Sequence, residues 1–386
     1  RVVVSTAIET TNPDIQAAQT LHIPIVHRAE ELSQAIPADH LLAICGTSGK
    51  STTTALTAWL LLAAQELHCF VGGAELLDNT PGGLGWTAVH VGQGRWSCLE
   101  LDESDRSLLR FAPRHTLILN ITQDHHPYEE CLALFQQFCA QVTGEFFLNQ
   151  ADPGCQALGQ RLDASRVYWF TPPLPEAITQ TTEGIAFPYK DRTLYLPLMG
   201  VHNAENATGA LTMLERVLGS ASLDTLSHAL QGFPGIRRRM QRAGTSRVPV
   251  YDDYAHNPEK VHAAITALQT RFARVWILFQ PHGYGPLRFH LDAFAQTFSQ
   301  TLRQQDHLVL LPVYDAGGTT DRGITSGDLA AQIQTRNPVS VLSRDDILAT
   351  LPTQVQPGDA ILVAGARDDT LTTFADHIAD FLAETK

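Results

Sequence analysis

The chain lacks both a long apolar run and a surplus of positive charge. Its 386 residues contain 27 Lys and Arg against 40 Asp and Glu, which gives a formal charge of −13. No apolar stretch approaches the roughly 20 residues that a membrane-spanning helix needs, and no signal-peptide pattern opens the sequence. The acidic balance argues against nucleic-acid binding. We therefore expect a cytoplasmic protein that does not span a membrane; whether it is a monomer or a dimer stays open.

Paired cysteines and a dinucleotide fingerprint are also absent. The six cysteines are scattered and form no C-x-x-C pair: Cys45, Cys69, Cys98, Cys131, Cys139 and Cys155. This spacing indicates reduced, mostly buried thiols without a chemical role. The C-terminal third has no G-x-G-x-x-G after its first strand, so no NAD site is predicted there.

A compact glycine loop is the most informative feature that is present. It follows the apolar run 41–45, which predicts a buried strand, and leads into a helical stretch; it reads Gly46-Thr47-Ser48-Gly49-Lys50-Ser51-Thr52. Backbone N–H groups of such a loop converge on phosphate oxygens, the lysine reaches the β- and γ-phosphates, and the hydroxyl of Ser51 ligates Mg²⁺. The alternative is a glycine turn without a ligand. The Gly-Lys-Ser sequence at a strand–helix junction favours ATP binding.

Alternating strands and helices predict the fold class. Between residues 39 and 243, apolar strands are predicted at 98–101, 116–120, 145–148 and 167–170, with helices between them. That order predicts an α/β fold: a P-loop central domain with a mostly parallel sheet, followed by a Rossmann-like α/β domain over residues 244–386. The stretch 184–198 instead predicts an antiparallel hairpin that turns at residues 190–192.

Five patterns together resemble the Mur ligases, which join an amino acid to a carboxylate in peptidoglycan assembly. The short loop G-T-x-G-K-[ST] is similar to their ATP loop, although folylpolyglutamate synthases share a related one. The others are E-x-D-E-S-D from Glu100, N-I-x-x-D-H ending at His125, G-x-H-N-x-x-N from Gly200, and D-[DS]-Y-A-H from Asp252. Their order along the chain is similar to that of the UDP-N-acetylmuramate:L-alanine ligases and the related murein tripeptide ligases.

The resemblance implies roles for particular residues. Glu100 would ligate magnesium together with Ser51, and His125 would help to bind a second Mg²⁺. His202, Asn203 and Asn206 would lie at the adenine and ribose. Taken alone, the acidic residues read as a solvated loop and Asn203 as a helix N-cap. Arg238 and Arg239 align with a family arginine segment near the transferring phosphoryl group, with a basic surface as the alternative. Asp253 and Tyr254 would approach the ribose, and His256 would face the reaction site.

The resemblance also implies a domain organisation. Residues 1–38 are similar to the end of the family's UDP-sugar-binding domain, which predicts a remnant of that domain whose larger part is missing. Residues 39–243 would be the ATP-binding domain and residues 244–386 the C-terminal ligase domain. The implied reaction forms an acyl phosphate on the carboxylate of UDP-N-acetylmuramate, which the amine of an amino acid or peptide then attacks.

One segment departs from the resemblance. The alanine-adding enzymes carry two arginines near the incoming amino acid where this chain has Gly283 and Pro286, and Arg288 is a partial substitute. The identity of the amino acid or peptide therefore stays open. Three alternatives remain: a P-loop ATPase or kinase, a non-catalytic Mur homologue, and a ligase similar to folylpolyglutamate synthase.

Overall fold

A computed structural model of the chain describes residues 1–5, 8–78, 85–122, 127–181, 183–315, 317, 321–335 and 339–384. The chain divides into two compact units, residues 1–237 and 238–386. No helix among the described residues is long and apolar enough to cross a membrane.

The N-terminal unit is an α/β unit. Its strands are β1 (Val2–Val4), β2 (Ile25–His27), β3 (Leu41–Cys45), β4 (Leu67–Asp78), β5 (Gly85–Val91), β6 (Trp96–Glu100), β7 (His115–Ile118), β8 (Phe146–Asn149), β9 (Val167–Phe170), β10 (Thr179–Gln180), β11 (Ile185–Tyr189) and β12 (Arg192–Leu196). Its helices are α1 (Pro13–Thr20), α2 (Arg28–Ala35), α3 (Lys50–Ala63), α4 (Tyr128–Cys139), α5 (Pro153–Gly159), α6 (His202–Leu218) and α7 (Leu223–Gln231).

The main sheet of this unit has the strand order β5-β4-β6-β3-β7-β8-β9, and only β5 runs antiparallel to its neighbour. All five residues of β3 are buried. Leu42 and Ile44 pack into one core and Leu41, Ala43 and Cys45 into another, because successive side chains of a strand point to opposite faces. A parallel sheet covered on both faces explains the uninterrupted apolar run.

Two smaller sheets complete the unit. Strands β1 and β2 pair in parallel, and β10, β11 and β12 form an antiparallel sheet. The hairpin predicted over 184–198 is confirmed, with Tyr189 opposite Arg192 at its turn. All six cysteines are buried and free, as predicted. Burial raises the pKa of the Cys45 thiol to about 12, so this thiol stays protonated.

The C-terminal unit repeats the α/β arrangement. Its strands are β13 (Gln241–Ala243), β14 (Val250–Asp253), β15 (Arg274–Gln280), β16 (His307–Leu310), β17 (Val339–Val341) and β18 (Asp359–Gly365). Its helices are α8 (Pro258–Gln269), α9 (Tyr284–Thr301), α10 (Ser326–Gln332), α11 (Arg344–Gln354) and α12 (Thr370–Glu384). The strand order is β13-β14-β18-β15-β16-β17, and only β13 is antiparallel. The predicted fold class is thereby confirmed.

Candidate active site

The register of the main sheet brings three predicted segments together in the N-terminal unit. Ile44 of β3 pairs with Glu100 of β6, and Cys45 pairs with Ile118 of β7. The glycine loop after β3 is therefore flanked by the carboxyl ends of β6 and β7. In parallel sheets this edge is where ligands bind.

The glycine loop has a backbone that only glycine adopts easily. Gly46 has φ of 138° and Gly49, the residue before α3, has φ of 81°. An added Cβ at Gly49 would lie 2.6 Å from Asn206 Oδ1, so a side chain there is both strained and obstructed. The loop thus leads directly into the N-terminus of the 14-residue helix α3, where N–H groups favour an anion.

Asn120 fixes the loop from the neighbouring strand. Its Oδ1 accepts hydrogen bonds from Thr47 Oγ1 at 2.9 Å and from the backbone N of Ser48 at 2.8 Å. The hydroxyls of Thr47 and Thr122 lie 2.7 Å apart. Asn120 was part of the pattern that ends at His125 but had no assigned role. His125 itself lies outside the described residues.

Lys50 is held at the start of α3 by carboxylates. Its Nζ donates to Glu103 Oε2 at 2.8 Å and to the carbonyl of Gly46 at 2.7 Å, and Asp102 Oδ1 lies 3.7 Å away. Burial alone would lower the pKa of Lys50, but the carboxylates of Glu103, Asp102 and Glu100 together outweigh it and the pKa is raised. Lys50 is therefore fully charged at neutral pH.

Glu103 is a buried acid that the sequence did not single out. Its side chain is 1% exposed, and Oε1 has no hydrogen-bond partner among the described residues. Burial raises the pKa of Glu103, although Lys50 opposes the shift. The only signal in the sequence was its place in the acidic run after β6.

Ser51 and Glu100 bring two hard oxygens together. Ser51 Oγ donates to Glu100 Oε1 at 3.1 Å, and Glu100 Oε2 accepts from the backbone N of Gly73 at 2.6 Å. A cluster of three or more His, Cys, Asp or Glu suited to a metal is absent from the described ranges. One hydroxyl and one carboxylate beside a phosphate loop nevertheless fit Mg²⁺, which keeps waters and phosphate oxygens as its other ligands.

The remaining hydroxyls of α3 serve the helix. Thr53 Oγ1 donates to the carbonyl of Gly49, and Thr54 Oγ1 to that of Lys50. Thr52 lies on the same first turn and is partly buried. The hydroxyl-rich helix start is thus only partly available to a ligand.

The start of α6 lies next to the glycine loop, through Asn206. Asn206 Nδ2 donates to Asn203 Oδ1 at 3.1 Å, and Asn203 Nδ2 donates to the carbonyl of Met199 at 2.7 Å. The helix begins at His202 after Val201, with no side-chain cap, so the alternative that Asn203 caps the helix is wrong. His202 is exposed, and the two asparagines are buried.

Glu205 is a second acid that sequence reasoning missed. Its Oε1 accepts from Asn149 Nδ2 at 2.7 Å. Burial raises the pKa of Glu205 to about 7, with a further contribution from Asp152. It occupies one of the unspecified positions of the H-N-x-x-N pattern, so no sequence signal distinguished it.

Arg238 is built into the C-terminal unit. Its guanidinium donates to the carbonyl of Gly365 at 2.7 Å and that of Asp368 at 3.3 Å, and it pairs with Asp252 at 3.4 Å. Only 5% of Arg238 is exposed. Asp252 also accepts from Thr372 Oγ1 at 2.7 Å. Arg237, its neighbour in sequence, instead pairs with Glu75 in the N-terminal unit.

Asp253, Tyr254 and Arg239 lie together in the same unit. Asp253 accepts from the backbone N of Met240 and of Ala255, both at 2.8 Å. Burial raises the pKa of Asp253, while Arg239 opposes the shift. The Arg239 guanidinium lies 5.8 Å from the Tyr254 ring centroid, and Arg239 is only partly buried.

His256 follows β14 and packs against two aromatic rings. Its Nδ1 lies 2.9 Å from the carbonyl oxygen of Tyr254, and its ring centroid lies 5.0 Å from that of His282. A carbonyl oxygen only accepts, so Nδ1 carries the proton and Nε2 is left as an acceptor. Burial lowers the pKa of His256, which keeps the imidazole neutral at pH 7.

The chain is similar to known proteins in sequence and in fold. The chain matches the Mur ligase middle domain over residues 44–214 and the Mur ligase glutamate ligase domain over residues 238–367. UDP-N-acetylmuramate–L-alanine ligases of Agrobacterium fabrum and Stenotrophomonas maltophilia are 32% and 34% identical to it over 399 and 405 residues, which cover 96% and 98% of this chain and 82% of each relative.

Solved structures are similar at the level of the fold. The UDP-N-acetylmuramate-alanine ligase of Thermotoga maritima superimposes with a TM-score of 0.78 at 20% identity, covering 100% of this chain and 85% of that one. A murein peptide ligase of Psychrobacter arcticus gives a TM-score of 0.66 at 20% identity, covering 99% and 86%. From the sequence relatives, which align over nearly the whole chain, the protein belongs to the Mur ligase family and is an ATP-dependent ligase.

Proposed function

We propose that this chain joins L-alanine to the carboxylate of UDP-N-acetylmuramate at the expense of ATP. The observation that carries the proposal is the glycine loop with Lys50 at its end and the Ser51–Glu100 pair, 3.1 Å apart, beside it. This arrangement offers one cation and two hard oxygens to a triphosphate. The substrates follow from the names of the relatives that align over the chain. ATP and UDP-N-acetylmuramate are nucleotides and L-alanine is a small metabolite, so we place the reaction in the cytoplasm.

The first step activates the carboxylate. A carboxylate oxygen of the acceptor attacks the γ-phosphorus of ATP, the bond to the β,γ-bridging oxygen breaks, and ADP leaves. Loop N–H groups and the N-terminus of α3 hold the phosphates, and Lys50 transfers its hydrogen bonds from Glu103 to the phosphate oxygens. The product is an acyl phosphate.

Magnesium would be held by Ser51 and Glu100, with His125 as a proposed ligand of a second ion. Bound Mg²⁺ would neutralise charge on the β- and γ-phosphates. His202, Asn203 and Asn206 at the start of α6 are proposed to contact the adenine and ribose, and Asp253 and Tyr254 to approach the ribose.

The second step forms the amide. The amine attacks the acyl carbon, and phosphate leaves with the former carboxylate oxygen. His256 accepts the proton of the amine at Nε2, because its Nδ1 is occupied by the carbonyl of Tyr254. Arg239, which is less deeply buried than Arg238, is proposed to neutralise the transferring phosphoryl group.

Omission assays test the reaction. Release of ADP by the full chain is measured with ATP, Mg²⁺, UDP-N-acetylmuramate and L-alanine, and with each component left out. The proposal predicts continued release only with all four, because the first step alone stops at the acyl phosphate. ADP release that needs neither L-alanine nor the sugar nucleotide would indicate an ATPase. If no amine substrate causes release, and glutamate with a folate as acceptor does not either, the chain is a non-catalytic homologue.

A peptide is the second candidate for the amine substrate. Gly283 and Pro286 stand where the alanine-adding enzymes have arginines, so the amino-acid site differs from theirs. The murein tripeptide, assayed beside L-alanine with UDP-N-acetylmuramate or free N-acetylmuramate as acceptor, decides between the two. A higher kcat/KM for the tripeptide would assign the chain to the recycling reaction.

A further inference from the structure

Three parallel strands of the C-terminal unit end beside one another in basic residues. His256 follows β14, His282 follows β15 and Arg367 follows β18, and these strands are adjacent in the order β14-β18-β15. The carboxyl ends of adjacent parallel strands are the usual place for a ligand in an open α/β sheet. Of the three residues, only His256 was assigned a role from the sequence.

Arg367 lies against Gly283, the first of the two positions that differ from the alanine-adding enzymes. Its Nη1 is 3.5 Å from where a Cβ on Gly283 would be. Arg367 is exposed and has φ of 64°, in the left-handed region that a long side chain rarely adopts. A strained residue beside a predicted reaction site suggests a functional reason for its conformation.

The charges around Arg367 favour an anion. The pKa of His282 is lowered to about 4, mainly by burial, with contributions from His256, Arg367 and His290. His282 Nδ1 is buried and has no hydrogen-bond partner in the described part of the chain. No carboxylate forms an ion pair with Arg367 among those residues. A charged guanidinium and an unsatisfied imidazole nitrogen therefore share one edge of the sheet.

We infer that Arg367 binds the carboxylate of the amine substrate and supplies the positive charge that Gly283 and Pro286 lack. The inference rests on the proposed function, in which His256 receives the proton of the amine. An α-amino acid carries its carboxylate one carbon from that amine, so a base and a cation on neighbouring strands suit its two ends. A guanidinium binds a carboxylate through two parallel hydrogen bonds.

Arg288 provides the matched control. It was the substitute suggested by the sequence, but its guanidinium pairs with Asp321 Oδ2 at 2.8 Å and with the carbonyl of Asp321 at 3.3 Å. It is an arginine on the adjoining helix α9, already neutralised by a carboxylate. Arg288→Gln therefore removes a charge of the same kind without removing the proposed carboxylate contact.

The experiment compares the donor with its carboxamide. ADP release by the full chain is measured with L-alanine and with L-alaninamide, for wild type, Arg367→Gln, Arg367→Lys and Arg288→Gln. In Arg367→Gln we expect KM for the free acid to rise about 10- to 150-fold, the range for one charge-assisted hydrogen-bonding pair. KM for the amide, ATP and UDP-N-acetylmuramate should change less than about threefold. Arg367→Lys should recover part of the loss, and Arg288→Gln should match wild type.

The outcomes separate the inference from the proposed function. An active wild type whose preference for the free acid survives in Arg367→Gln overturns the inference alone. The inference is also overturned if Arg367→Gln raises KM for ATP or for the sugar nucleotide and leaves KM for the donor unchanged. A wild type that releases no ADP with any donor overturns the proposed function and the inference with it. Thermal melting of each variant, expected within about 2 °C of wild type for this exposed residue, confirms that folding is intact.

Discussion

Lys50 of the N-terminal unit and Arg238 of the C-terminal unit carry the same sequence prediction, a cation for the nucleotide, yet their surroundings differ. Lys50 bonds to a carboxylate side chain and one loop carbonyl, and 13% of its side chain is exposed. Arg238 bonds to two backbone carbonyls and to Asp252, which Thr372 also holds. A side-chain partner can be exchanged for a phosphate, whereas backbone partners are part of the fold. The comparison teaches that a matching motif position does not decide between a ligand contact and a structural one.

Lys50→Ala should give the largest effect if Lys50 exchanges Glu103 for phosphate. We expect kcat/KM for ATP to fall about 1000-fold, the upper range for removing one preorganised charge contact in a reaction site. The rate of ADP release measures it. Lys190→Ala is the matched control, since Lys190, at the turn between β11 and β12, pairs with Glu215 of α6. A loss below about threefold in Lys50→Ala would place the phosphates elsewhere.

Arg238→Ala should act mainly on stability. The substitution removes the ion pair between Arg238 and the buried Asp252 carboxylate, at a cost of about 3 kcal/mol. Urea unfolding of the full chain, followed in the C-terminal unit, measures the loss. Arg239→Ala is expected to change the free energy of unfolding by less than about 1 kcal/mol while lowering kcat. Equal destabilisation by both variants would remove the distinction between these neighbouring arginines.

Glu103→Gln tests the carboxylate partner of Lys50. The amide keeps the shape of the side chain but no longer competes as an anion for Lys50, so KM for ATP should fall about fivefold, the difference between a charged and a neutral hydrogen bond. Asp105→Asn in the same acidic run is the control. A higher KM for ATP would instead mean that Glu103 positions Lys50 for the phosphates.

The smallest expected effect is on pH dependence. The pKa of His282 is about 4 in the folded unit, and that of His115 in the N-terminal unit is also about 4, in both cases mainly through burial. Between pH 4 and about 6.5 the unfolded chain binds more protons at these residues, so stability is lost as pH falls through that window. His282→Gln should flatten this dependence for the C-terminal unit only, as urea unfolding at pH 4.5 and 7 would show. An unchanged slope would contradict the burial argument.

The sequence predicted the parallel strands well because each is a short apolar run between polar turns. Strand β9 is observed at its predicted bounds, and β3 coincides with the apolar run before the loop. Strands β4 and β5 were missed. Gly72 and Gly73 interrupt β4, and its pairing with β5 shifts register between Val71 and Leu76, so neither alternation nor a continuous apolar run marks it.

The composition of the site was predicted more fully than its contacts. The family resemblance assigned Ser51 and Glu100 to magnesium, and the pairing of β3 with β6 brings the two side chains together in the structure. The Lys50–Glu103 pair was not predicted, since it depends on the turn after β6 rather than on a strand. Nor could the sequence tell Arg238 from Arg239. The directions of the two arginine side chains depend on the left-handed backbone at Arg238 and Met240, with φ of 56° and 49°. No local sequence pattern signals that backbone.

Isotope transfer tests the central claim most directly. UDP-N-acetylmuramate labelled with ¹⁸O in its carboxylate is turned over with ATP, Mg²⁺ and L-alanine, and the released phosphate is analysed by mass spectrometry. An acyl phosphate predicts one ¹⁸O in each phosphate, and an amide product that has gained alanine and kept only one of the two carboxylate ¹⁸O atoms. Unlabelled phosphate would show that water, and not the carboxylate, takes the γ-phosphoryl group, and would contradict the account.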